Sequence, residues 1–426
     1  MTGMLLALII FIAVFLAIVF NLADRAVLVI VGALAMVGTG IISANDAIAS
    51  IHWEAIGLIF GMFVLVAALT ESGFFRWVGL YLLKKTRFDF TKIFIVFCGL
   101  AAFLSAFMDS ITVIMFIASA TIEVCRVLKV SPLPIVIAEI CSANIGGSAT
   151  MVGDPPNVII GTALNLTFSD FVTHTAPIAM IAFSVNLVVF AFLHRRLFEN
   201  RHVDFEKTVQ EFKDVDAFGA VTDVRLMRMA LSVFAFIVTL LVMHDSLDMH
   251  VSYVAILGAS MVILFARRKM DDLIDKIDWH TIVFLAGLFV MVGGIEKTGL
   301  LADFANGLVG MSGGNVLVFA FLLFWVSAAL GALLDNIPFA AAMVPVIPAL
   351  AAQTGVPVDS IAYTTTLGCN IAGNITPIGA SANVVGLAIA SKKNVEWSWK
   401  EYCRVSIPMT MASLVVASIL MLILLY

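Results

Sequence analysis

Two carboxylates stand inside apolar runs, Asp109 in FLSAFMDSITVIMF and Asp335 in LLDNIPFAAAMVPV. A charge in such surroundings is costly, and it usually lines an ion path or carries a proton. Aspartate is also a favoured helix N-cap, and the two roles can coexist. Two Gly-, Pro- and Asn-rich stretches interrupt other hydrophobic runs: NIGGSATMVGDPPN (Asn144 to Asn157) and NIAGNITPIGASAN (Asn370 to Asn383). Unwound backbone within hydrocarbon is tolerated only when buried in protein or lining a cavity. Gly146, Gly147 and Gly153 permit close approach of backbones. Pro155 and Pro156 can begin a helix but cannot continue one. The polar side chains here are neutral: Asn144, Ser148, Thr150 and Asn157 in one break, Asn370, Asn374, Thr376 and Asn383 in the other. Ser110 and Asn336 follow the two aspartates directly. Such residues offer donors and acceptors together. As a set they suit a small polyhydroxy solute or an ion held by carbonyl oxygens. Singly, each could serve helix–helix hydrogen bonding.

The chain repeats itself at one ungapped offset of 226 residues. Trp53 falls on Trp279, GMFVLV on GLFVMV, Asp109 on Asp335, and Asn144, Gly147, Thr150, Gly153 and Asn157 on Asn370, Gly373, Thr376, Gly379 and Asn383. Two greasy sequences aligned by chance would not also align Asn, Asp and Gly. The domain reading is a first repeat over 1–200, a polar linker over 201–226 and a second repeat over 227–426. Asp154 has no acidic mate, because Ala380 stands in its place. A feature of one half only suits a coupling ion, although Asp before Pro-Pro also suits a turn. Glu139, whose mate is Thr365, suits either a proton carrier or a hydrogen bond to a neighbouring helix.

These residues must be positioned by membrane-spanning elements. The 426-residue chain is 62% hydrophobic and only 12% charged, with a mean hydropathy of +1.09. Apolar runs of about 20 residues, enough to cross a bilayer core, recur throughout. The fold class is therefore an all-α polytopic membrane protein. Spans are expected near 3–20, 26–42, 53–70, an interrupted 134–165, and 175–193, each with its mate. The stretch from Ile93 to Leu128 holds two apolar arms with Asp109 between them, as a re-entrant hairpin would. Five spans plus one hairpin per half make the repeats inverted. With the N-terminus outside, Lys297 alone of the 24 Lys and Arg falls outside, in keeping with the positive-inside rule. Both termini are then extracytoplasmic. FFRWVGLYLLKKTRF (Phe74 to Phe88) reads as an interfacial helix or as a span end running into a solvated loop. The five cysteines and the histidines show no metal-ligand spacing, and no catalytic pairing or motif points to an enzyme. No cofactor, metal or nucleic-acid partner is expected.

FLSAFMDSITVIMF, AEICSANIGGSATMVGDPPNVIIG, LLDNIPFAAAMVPV and NITPIGASANVV resemble the ArsB/P-protein branch of the ion transporter superfamily. The resemblance covers nearly the whole chain. It implies secondary active transport across the plasma (inner) membrane, two re-entrant hairpins and a central site between the halves. Elevator-like movement and a homodimer are common among relatives. The segment from Ile375 to Asn394 is similar to arsenite efflux pumps, some of which could associate with an ATPase subunit. The first expectation is thus proton-coupled export of arsenite or antimonite, with Asp109 and Asp335 handling protons. A Na+/H+ antiporter on the same residues is the second. Sodium-coupled dicarboxylate uptake and an anion channel fit less well, because the residues form no dense cationic cradle.

Overall fold

The computed structural model describes residues 2–20, 22–86, 89–127, 130–195, 197, 218–265, 275 and 277–426. Its first half contains α1 (Thr2–Val19), α2 (Arg25–Gly38), α3 (Ala44–Ala49), α4 (Trp53–Glu71), α5 (Phe74–Lys85), α6 (Phe90–Ser105), α7 (Ser110–Val127), α8 (Leu133–Gly147), α9 (Pro155–Ala163), α10 (Phe168–His174) and α11 (Ala176–Leu193). The second contains α12 (Val224–Met243), α13 (Val251–Phe265), α14 (Trp279–Glu296), α15 (Leu300–Ser312), α16 (Val316–Leu334), α17 (Asn336–Met343), α18 (Val346–Thr354), α19 (Val358–Ala372), α20 (Ser381–Lys392) and α21 (Trp399–Leu424). Helix starts recur at the sequence offset: α4 begins at Trp53 and α14 at Trp279, α5 at Phe74 and α15 at Leu300, α6 at Phe90 and α16 at Val316. Most of the 201–226 linker lies outside the described residues. At its end a short 3-10 turn covers Phe218–Ala220, and α12 already starts at Val224, because the Asp223 side chain caps the Leu226 N–H.

This is an integral membrane protein. Six described helices are long and apolar enough to cross a bilayer, among them Trp53–Glu71, Trp279–Glu296 and Trp399–Leu424. Large apolar side chains stay exposed on the outer helices, including Phe192, Leu264, Val188 and Ile423. A belt of that size is at home in lipid rather than water. Arm α17 bends by 53° into α18, where Pro345 interrupts the apolar run. The first-half mate, α7, has no proline at that point and runs unbroken.

The helices sort into two packed groups. In one, α2 lies on α14 and α4 on α13, joined by α1 and α12. In the other, α6 lies on α8, α16 on α19 and α11 on α21. The halves interlock. The second arm of each hairpin packs on the helix after the break of the opposite half, α7 on α20 and α17 on α9. Close approach is bought with glycine at α6–α8, where a Cβ on Gly146 would sit 2.1 Å from the Ala102 carbonyl oxygen.

Outside the spans, partners from distant parts of the sequence meet. Lys297 pairs with Asp46, and Lys393 with Glu123. Arg126 donates to the Lys393 carbonyl.

Candidate functional site

The two breaks meet at the centre of the second group. After α8 ends at Gly147, the chain turns and restarts as α9 at Pro155. Asp154 occupies the N-cap of α9 but makes no capping hydrogen bond. The reason is chemical: the first two helical residues are prolines and have no N–H to offer, while the Asn157 N–H goes to the Asp154 carbonyl. The carboxylate is thereby left for other donors. Ser110 Oγ donates to Oδ1 at 3.0 Å, and Asn336 Nδ2 donates to Oδ2 at 3.1 Å. Ser110 and Asn336 are repeat mates, the first residues of α7 and α17. One carboxylate, 3% exposed, is therefore clamped by both hairpin tips. Among the described residues no ion pair is recorded for Asp154, Asp109 or Asp335.

From Asn336 the network continues. Asn336 Nδ2 also donates to Asn370 Oδ1 at 3.2 Å. Asn370 Nδ2 donates to Asn157 Oδ1 at 2.8 Å, and Asn157 donates to the Gly147 and Thr150 carbonyls. The mirror set follows the same pattern. Asn144 Nδ2 donates to Asn383 Oδ1 at 2.8 Å, and Asn383 donates to the Gly373 and Thr376 carbonyls. Asn144 also donates to Asn374 Oδ1 at 2.7 Å. Thr150 and Thr376 donate to the carbonyls of Ala106 and Ala332, at the end of the first arm of each one's own hairpin. Each half thus ties its break to its own hairpin tip and its asparagine to the other half. This reciprocity is that of a two-fold contact.

The expected site residues sort accordingly. Asp154, Ser110, Asn336, Asn144, Asn157, Asn370, Asn374 and Asn383 come together directly, and Thr150 and Thr376 brace them. Ser148 turns back to its own helix, donating to the Ile145 carbonyl. Asp109 and Asp335 cap their second arms, Asp109 accepting from the Thr112 N–H at 3.2 Å and Asp335 from the Ile337 N–H at 3.3 Å. Asp335 does so at φ 74°, a left-handed conformation that Asp tolerates better than most residues. Glu139 is buried away from this network. Thr121 donates to its Oε1, and its Oε2 has no partner. The asparagines do not form an open neutral lining, because their amide groups are spent on one another and on backbone. Asn144 Oδ1 remains without a hydrogen-bond partner.

Sequence reading missed Arg25, which entered it only as one of the Lys and Arg residues on the inner side. Its guanidinium lines a cavity of 490 Å³ together with Asp24, Asp278, Asp335, Ser381 and apolar groups from Ile18 to Val385. It acts electrostatically on both Asp109 and Asp335. The available signal was position: Arg25 directly precedes an apolar run whose mate begins with Val251.

An apolar helical bundle with a buried, clamped carboxylate and a cavity lined by charged and apolar groups fits a membrane transporter. The citrate transporter family, CitMHS, matches residues 7–368, and the chain belongs to that family. It is 33% identical over 416 residues to an uncharacterized transporter of Mycobacterium tuberculosis, covering 96% of each chain. It is 28% identical to the human P protein, covering 94% of this chain and 57% of that protein. The YdaH transporter of Alcanivorax borkumensis shares the fold at TM-score 0.60 and 13% identity, over 88% of this chain and 86% of that one. MtrF of Neisseria gonorrhoeae, described as one of a class of antimetabolite efflux pumps, does so at TM-score 0.61 and 12% identity, over 92% and 84%.

Proposed function

We propose that the chain is a secondary active transporter built of two inverted repeats, and that Asp154 holds its coupling ion between the hairpin tips. The single observation behind this reading is the clamp itself. A buried carboxylate without a basic partner must be neutralised by a proton or a small cation when the site is dry. Its two donors belong to two hairpins, so loading and unloading act on both halves together.

For the solute, the reading is export of arsenite or antimonite in exchange for protons. The first motive is the motif resemblance. The second is charge: the carboxylates, amides and hydroxyls around Asp154 offer no cationic cradle to an anion, and a neutral trihydroxide could exchange hydrogen bonds with the amides that now bond one another. The family description names citrate, but a tricarboxylate calls for several cationic donors. Arg25 is the one basic residue lining the nearby cavity, against Asp24, Asp278 and Asp335. That acidic excess supports a second reading, cation/proton antiport, since an acid-lined cleft concentrates cations.

The experiment is transport into everted vesicles bearing a proton gradient, with arsenite, antimonite or citrate, each with and without Na+. Gradient-driven uptake of arsenite supports the first reading. Collapse of the gradient by Na+ alone moves the chain to the antiporter reading, and citrate uptake alone rejects both. Inversion is tested separately by thiol labelling. Lys297→Cys and Lys392→Cys should react from opposite faces, and reaction from one face would reject inverted repeats.

A further inference from the structure

Arg25 belongs to the α2–α14 group, yet it reaches into the other. Nη1 donates to Ser381 Oγ, at the first residue of α20, at 2.6 Å. Nη2 donates to Thr281 Oγ1 on α14 at 3.1 Å. Thr281 passes the contact to Asp278 Oδ2 at 2.6 Å. The guanidinium carbon lies 5.4 Å from the centre of the Phe284 ring. The charged and titratable groups facing it are Asp24 beside it, His280 paired with Asp24 at 3.3 Å, Asp278 from α14, and Asp335 and Asp109 from the hairpins.

The repeat supplies an internal control. The mates of Arg25, Ser381, Thr281 and Phe284 are Val251, Pro155, Ala55 and Leu58. None of these four can form the link. The cavity beside Val251 is smaller, 220 Å³, and its lining does not include Asp109. Accessibility is also unequal. Val384, in the Arg25 cavity, is 50% exposed, whereas its mate Val158 is 3% exposed. The face that carries the link is the face on which the cavity reaches a hairpin-tip aspartate.

We propose that Arg25 is a positioning residue that fastens α20 to the α2–α14 group on one face only, so that the transporter rests with the Asp335 cavity open on that face. The proposal rests on the inverted-repeat transporter reading above. A symmetric scaffold would place its two end states at similar energy. One charge-assisted hydrogen bond present in only one of them biases the population by roughly tenfold or more. A guanidinium suits the task because its planar fork reaches Ser381 and Thr281 at once.

The test uses the full chain in vesicles, in a Cys403→Ser background, with a membrane-impermeant thiol reagent. Val384→Cys is labelled from the Arg25 face and Val158→Cys from the opposite face. The ratio of the two rates reads the balance of the two states without any solute. Arg25→Ala and Ser381→Ala should each lower that ratio by about tenfold, with Arg25→Lys between them and the parent. An unchanged ratio in both overturns the proposal. If Arg25→Ala fails to fold, Ser381→Ala decides, since it removes only a partly exposed hydroxyl. Gradient-driven transport with an insensitive ratio would sink the latch and spare the transporter. A sensitive ratio with no transport of any tested solute would do the reverse.

Discussion

Ser110 and Asn336 occupy the same position in the two halves and donate to opposite oxygens of one carboxylate, that of Asp154, at 3.0 and 3.1 Å. The symmetric donors converge on an asymmetric acceptor, since the mate of Asp154 is Ala380. On the proposed reading, one ion held by that carboxylate reports to both hairpins.

Removing one donor should weaken that report. A hydrogen bond donated to an ionised carboxylate favours the charged form by about 1.5–3 kcal/mol, so Ser110→Ala and Asn336→Ala should each make proton binding at Asp154 tighter and lower the half-saturating proton concentration about tenfold or more. The two effects should be non-additive, because they share one acceptor. Ion-dependent transport in the single and double variants measures this. Strict additivity would mean that the tips act independently.

Asn370 carries a structural load. Its replacement by Ala strands Asn157 Oδ1 and removes one acceptor of Asn336 Nδ2, in a fully buried place. Each buried polar group left without a partner costs about 1–3 kcal/mol. Asn370→Ala should lower the thermal midpoint in detergent clearly, and more than Ser148→Ala, whose hydroxyl only bonds its own helix. Equal midpoints would deny the network its role.

Glycines should divide by surroundings. Gly146→Ala forces a methyl to within 2.1 Å of a carbonyl oxygen on α6 and should abolish folded protein. Gly307→Ala, on α15, meets nothing within 4 Å and should raise stability slightly, because Ala is the better helix former. Yield of monodisperse protein after extraction separates the two.

Outside the membrane, the Lys297 side chain and then Ser43 hold the Asp46 carboxyl below its ordinary value. A folded-state value that lies below the unfolded one stabilises above the unfolded value. That contribution is lost as pH falls through the folded value. Asp46→Asn should therefore flatten the acid limb of the stability profile below about pH 4 and leave neutral pH little changed, since the pair is exposed and screened. Thermal midpoints across that range, with and without added salt, check it.

Much of this is legible in the sequence. The 226-residue offset anticipated where helices recur, because apolar runs and breaks follow from the sequence itself. The breaks were visible for the same reason, as Asn, Gly and Pro cannot sit unpaired in hydrocarbon. Pairing across the halves was not legible. That Asn144 meets Asn383, or that Asp154 ignores its own helix, depends on how α7, α9, α17 and α20 interlock. Arg25 was hidden differently. A charge at the foot of a span reads as a loop residue until the hydroxyls of Thr281 and Ser381 are placed beside it.

The most direct measurement is net uptake against solute exchange in vesicles for Asp154→Asn. The amide keeps the size of the side chain and is permanently neutral, like a loaded site. The account predicts that gradient-driven accumulation is lost while one-for-one exchange of solute persists, because a permanently neutral site crosses in both directions without carrying a proton and so uncouples solute from the gradient. Gradient-driven transport at the parent rate would contradict it.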